Sequence, residues 1–190
     1  MLDAAVAFLA EEFNAYLLRR MGIPLSCKME PGPLVNDDGK LAIAEGTIGL
    51  VLINIEEERT TRAQLPERVL LGGREVILPP EIRLNLTLMA AANMGSYDLT
   101  LKTLSQVIIF FQAHPVFTAD DYPSLDGQIG KLCVDMQSVS HEALNQIWAT
   151  LGAKYLPSVL YRVRLITLQD QEPERIGKPI SSISVEAYKK

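Results

Sequence analysis

Histidine and cysteine are scarce in this chain of 190 residues, with 2 of each. Cys27 and Cys133 lie far apart and form no C-x-x-C pair. That spacing argues against a disulfide framework and leaves two reduced thiols behaving as small hydrophobic residues. His114 and His141 stand in no H-E-x-x-H or comparable metal spacing, so both read as surface or capping residues. No uncharged apolar run approaches the roughly 20 residues that cross a bilayer. Met1 to Ala10 is apolar, but it contains Asp3, lacks a basic start and runs into Glu11-Glu12, which makes a poor signal peptide. An excess of basic residues is missing too: 18 Lys and Arg against 23 Asp and Glu give a formal net charge of −5. Neither nucleic acid nor a membrane is therefore expected as a partner, and the expected compartment is the cytoplasm.

What is present is an ordinary globular balance, 48% hydrophobic and 22% charged, with length enough for one sizeable core. Leu2, Val6, Leu9, Phe13 and Tyr16/Leu17 share one face of a first helix, closed by Arg19-Arg20, Gly22 and Pro24. Residues 24–46 read as connecting chain. Ile48 to Ile55 reads as a strand buried on both faces, ending in Glu56-Glu57-Glu58-Arg59. The stretch to Leu78 is expected to stand away from the main body as an arm, with a hairpin turning at Gly72-Gly73.

Pro79-Pro80 opens a strand in which Ile82, Leu84, Leu86 and Leu88 alternate with Arg83, Asn85, Thr87 and Met89. Ser96 caps a helix with the stripe Tyr97, Leu101, Leu104, Ile108 and Phe111, widened by Val107 and Phe110. Residues 115–130 form a loop, and a strand follows over Leu132, Val134 and Met136. Ser140 caps a short helix with Leu144, Ile147, Trp148 and Leu151 on one face, ending at Gly152. A long strand runs from Ser158 to about Leu168, and a weaker strand-like run spans Ile180 to Tyr188. The expected class is α+β: a single mixed sheet flanked by about three helices, with an extended arm. Residues 1–170 form the domain, with the arm at about 56–78, and residues 171–190 form an extended tail.

Little in this pattern points to catalysis. Gly72-Gly73 lacks phosphate-loop spacing, and Asn36-Asp37-Asp38-Gly39 lacks the alternating ligands and closing Glu of a calcium loop. The carboxylates of the 120–126 loop sit without a polar companion cluster, which favours plain solvation over acid–base work. No enzyme activity, cofactor or metal is expected. A small hydrolase with His114, Asp121 and His141 is the competing enzymatic reading. Dense mixed charge at the mouth of the arm, Glu56, Glu57, Glu58, Arg59 and Arg62, marks a candidate docking surface, and Arg74 in the arm joins it. Arg162 and Arg164 alternate with apolar residues on the last strand, either snorkelling or pairing with carboxylates across an interface.

The run Pro79-Pro80, Ile82-Arg83-Leu84-Asn85-Leu86 and the helix led by Tyr97 make one half of a recognisable pattern. Ile147-Trp148, Leu151-Gly152 and Tyr155-Leu156-Pro157-Ser158-Val159-Leu160-Tyr161-Arg162-Val163-Arg164 make the other, more specific half. Together they resemble the N-terminal domain of tail-terminator (cap) proteins from contractile injection systems, the phage-tail-like particles of the antifeeding-prophage and virulence-cassette type. The likeness covers most of residues 1–170. It implies a phage tail-terminator-like fold and a structural role: a sixfold ring at the end opposite the baseplate that touches the last inner-tube ring and the sheath end, and stops polymerisation. The implied partners are further copies of the chain, the inner-tube protein and the sheath protein. Some relatives continue into longer C-terminal regions, whose function is expected to be absent here or supplied elsewhere. The alternative is a soluble assembly factor or adaptor that is not retained in the particle.

Overall fold

The computed structural model describes residues 1–21, 27–58, 67–71, 74–78, 82–168 and 175–176. In chain order they form α1 (Leu2–Met21), β1 (Lys28–Pro31), β2 (Thr47–Glu57), β3 (Glu67–Leu71), β4 (Arg74–Leu78), β5 (Ile82–Asn93), α2 (Tyr97–Ala113), β6 (Val116–Thr118), β7 (Lys131–Gln137), α3 (His141–Leu151), β8 (Ser158–Leu168) and β9 (Arg175–Ile176). The main sheet has six strands in the order β1-β2-β5-β8-β7-β6. Only β1 and β2 are parallel, so the sheet is mixed, and with its three helices the fold is α+β as expected. The arm segment holds the expected hairpin, β3–β4, which β9 extends into a separate three-stranded sheet.

The helices form where capping and periodicity agree. Ser96 and Ser140 keep extended backbone, and their Oγ atoms accept from the N–H groups of Leu99 and Ala143, each at 3.2 Å. α3 stops at Gly152, whose φ of 67° is the left-handed conformation that closes a helix. α1 carries Asp3 in its first turn and Arg19 and Arg20 in its last, matching the helix dipole.

The two faces of the sheet are covered differently. On one, Phe8, Leu9, Phe13 and Leu17 of α1 and Val107, Phe110 and Phe111 of α2 pack on Leu86, Leu88, Ala90 and Ala92 of β5 and on Tyr161 and Val163 of β8. Edge-to-face ring pairs stiffen this core, Phe8–Phe117 at 5.4 Å and Phe13–Phe110 at 5.5 Å between centroids. On the other face a smaller core gathers Trp148 of α3 with Val51, Met89, Ala91 and Leu160. Leu34 and Ile43, from the connection between β1 and β2, complete it. Gly49 permits that closure, because a Cβ there would stand 2.3 Å from Ile43 Cδ1.

Several elements depart from the sequence expectation. Residues 24–46 contain β1, ended by Pro31, and a bridge between Val35 and Leu41 around the Asn36–Gly39 turn. The expected 115–130 loop begins with β6, which the partner strand β7 holds in place. β2 is buried on both faces only as far as Val51; Leu52 and Ile55 are exposed, since β1 pairs with Thr47–Leu50 alone. The buried face of α2 runs through Thr100, Thr103, Leu104, Val107, Phe110 and Phe111, whereas Tyr97 and Leu101 are exposed. The turn residues Gly72-Gly73, the prolines at 24, 79 and 80, Gly22, and the run Ile180–Tyr188 lie outside the described residues.

Candidate partner interface

Beyond the edge of α3, the second face of the sheet changes from apolar to charged. Strand register places Asn54 opposite Thr87, Thr87 opposite Arg162 and Arg162 opposite Asp135, so one row of polar residues crosses four strands. Arg162 Nη2 reaches over β5 to Glu56 Oε2 at 2.6 Å. Arg164 donates from Nε and Nη2 to Asp135 Oδ2, at 2.9 and 2.5 Å. Asn85, only 6% exposed, donates from Nδ2 to Glu58 Oε2 at 3.0 Å. The two arginine pairs are solvent-accessible, with side-chain exposures of 40–51%, so each stabilises the fold by only about 0–1 kcal/mol. Beside this ladder lies a groove of about 400 Å³, with Asn54, Glu56, Thr87 and Gln137 on the sheet side and Gln146 and Thr150 on α3.

Of the residues singled out in the sequence, Glu56, Glu58, Arg162 and Arg164 are thus brought together on one face. The two arginines pair with carboxylates of the same chain, Arg162 across β5 with Glu56 of β2 and Arg164 with Asp135 of the adjacent β7. Glu57 stands opposite Leu84 and points to the other face. Arg74 opens β4 opposite Leu71, and Arg59 and Arg62 lie outside the described residues. Asp135 and Asn85 belong to the ladder and were not singled out. Their signal was the polar phase of two alternating strands, which becomes a partner only once register is known.

The residues of the enzymatic reading stand in separate local settings. His114 Nδ1 lies 3.0 Å from the Phe110 carbonyl oxygen at the end of α2, and its ring packs against Tyr16 and Phe110. Asp121 accepts from Thr118 Oγ1 at 2.7 Å inside a turn, and His141 opens α3. Burial pushes the Cys27 thiol above its ordinary pKa, and its contact with Thr103 opposes that shift. Asn36 closes its own turn by accepting from Lys40 N–H at 2.9 Å. Among the described residues there is no cluster of three or more metal-ligating side chains. No described helix is long and apolar enough to cross a membrane.

The profile of the Pvc16 N-terminal domain family matches residues 4–182, and the chain belongs to that family. A search of curated protein sequences finds no match. Among solved structures, the sheath/tube terminator of an extracellular contractile injection system, PVC, in its extended state is similar at a TM-score of 0.64 and 15% identity, covering 97% of this chain and 62% of that one. The tube-terminating cap of the anti-feeding prophage is similar at a TM-score of 0.54 and 18% identity, covering 81% of this chain and 56% of that one. The chain therefore spans 62% and 56% of the length of these two proteins.

Proposed function

We propose that this member of the Pvc16 N-terminal domain family is a structural terminator: it caps a contractile phage-tail-like particle at the end distal to the baseplate. The observation that carries this reading is the correspondence of nearly the whole chain, 97%, with a sheath/tube terminator. A growing tube or sheath exposes repeating docking surfaces at its open end. A ring that complements those surfaces and offers no equivalent site outward ends growth and ties sheath to tube. Six linked copies act at high effective concentration, so each subunit contact need only be modest. The charged ladder of Glu56, Glu58, Arg162 and Arg164 is the surface assigned to tube or sheath contact, and the hairpin arm next in sequence is assigned to a ring or sheath contact, where strand addition supplies backbone hydrogen bonds. The chain is made in the cytoplasm of the producing cell and joins the particle there, with no catalytic step and no cofactor.

Producing cells that lack the chain should release particles whose tube and sheath lengths spread widely, as measured by negative-stain imaging. Labelled chain should also mark one end of intact wild-type particles. Particles of unchanged, uniform length would sink the terminator reading, and a chain absent from purified particles would favour the adaptor.

A further inference from the structure

Among the described residues the two lateral edges of the six-stranded sheet are each half bare, and the bare halves differ in kind. On one side β1 covers only Thr47–Leu50, and Gly32 N–H donates to the Leu50 carbonyl, so β2 from Val51 onward has no outer strand among the described residues. Leu52 and Ile55 project from this edge, 39% and 45% exposed. On the other side β6 covers Lys131–Cys133, and Val134 N–H donates to the Pro115 carbonyl. Asp135–Gln137 of β7 are bare on that side among the described residues. Next to them, between β7 and α2, is a hollow of about 300 Å³ lined by Ile108, Phe111, Pro115, Val134, Met136 and Tyr161.

Register puts the projections and the hollow at the same height and on the same face. Leu52 is opposite Leu88, Leu88 opposite Tyr161, and Tyr161 opposite Met136. Ile55 is opposite Leu86, Leu86 opposite Val163, and Val163 opposite Val134. Leu86, Leu88, Tyr161, Val163 and Val134 all belong to the core under α1 and α2, which fixes the face. Charge agrees with this pairing. The bare end of β2 carries Glu56, which stays 46% exposed while it holds Arg162, and at the same end of the opposite edge Lys131 is exposed and makes no ion pair among the described residues.

We infer that the β2 edge of one copy docks against the β7 edge of the next, with Leu52 and Ile55 entering the hollow beside Met136. The occupant is a second copy of this chain, because projection and hollow, acid and base, sit on opposite edges of one sheet at matching levels. Such a contact is head-to-tail, and a head-to-tail contact with the right rotation closes into a ring. The β1 and β6 strands assist, since each extends the sheet at the end where the other edge is bare. This inference rests on the ring proposed above and names its subunit contact.

Cysteine pairing tests it with the full chain. Leu52→Cys and Met136→Cys chains, each also carrying Cys133→Ser to remove the native thiol of β7, mixed under mild oxidation, should give a disulfide-linked dimer, and a chain carrying all three changes should give a ladder ending in a closed species. Each single variant alone, like the wild type, should stay unlinked. In a parallel arm, Leu52→Lys should dissociate rings to monomers while leaving the circular dichroism spectrum unchanged. Linkage within either single variant would show two-fold edge pairing and overturn the head-to-tail contact. Rings that form but never link, and that survive Leu52→Lys, would overturn this contact and leave the terminator reading standing. A chain that stays monomeric even on the ends of tube and sheath would overturn both.

Discussion

The face under α1 and α2 and the face under α3 are built from the same four central strands, yet they do different work. The first is closed over its middle by aromatic and aliphatic side chains, with Phe13, Val107, Phe117 and Val163 fully buried. The second is apolar only around Trp148 and then gives way to exposed ion pairs. Stability is concentrated on one side of the sheet. The side left cheap in folding energy can carry charge for recognition. A face whose contacts contribute about 0–1 kcal/mol each is free to vary with its partner, which a packed core is not.

Replacing a core aromatic breaks this contrast most sharply. Phe110→Ala removes a ring that contacts Phe13, Tyr16, Phe111, His114 and Phe117, and should destabilise by about 4 kcal/mol in denaturant titration. A smaller and opposite effect is expected at Tyr161, whose hydroxyl is buried without a hydrogen-bond partner among the described residues. Tyr161→Phe should be neutral or stabilising by up to about 1 kcal/mol at pH 7. Burial pushes the Tyr161 phenol well above its ordinary range, so the folded chain keeps that proton after the unfolded chain has lost it. Stability from this group is therefore whole below pH about 10 and is lost as pH rises beyond it, where the Phe variant should hold up better in thermal melts.

The smallest change in stability is expected on the charged face. Glu56→Gln combined with Arg162→Met should change the unfolding free energy by less than about 1 kcal/mol in denaturant titration. The same double variant should nevertheless weaken capture of tube or sheath ends in a pull-down. Undiminished capture would remove the ladder from the partner surface and leave the contrast one of stability alone.

Periodicity made the long elements legible. α1, α3 and β8 stand where spacing and caps placed them, because 11 or more residues repeat one pattern in each. β1, β6 and β9 span 4, 3 and 2 residues, too short to show a period, and pairing with distant strands creates them. α2 stands where its cap places it and buries Leu104, Val107, Phe110 and Phe111 of the expected stripe, but in its first turns Thr100 and Thr103 take the buried face instead of Tyr97 and Leu101. Thr100 turns its hydroxyl back to the Ser96 carbonyl at 2.9 Å, which lets a polar residue face the sheet while Tyr97 stays in water. The candidate site was half legible for a related reason. Arg162 and Arg164 were conspicuous among apolar neighbours, but Asp135 and Asn85 acquire meaning only through antiparallel register, which sequence alone leaves open.

One irregularity in β2 carries a consequence for solubility. Between Leu52 and Asn54 the register against β5 shifts by one residue, so Leu52 and Ile55, three apart, lie on the same face. A strand with a regular two-residue repeat would match any flat neighbour, including a misfolded chain. A bulged, twisted edge pairs poorly with such a neighbour and demands one shaped to its kink. The half of β2 that is bare among the described residues is in this way guarded against indiscriminate aggregation.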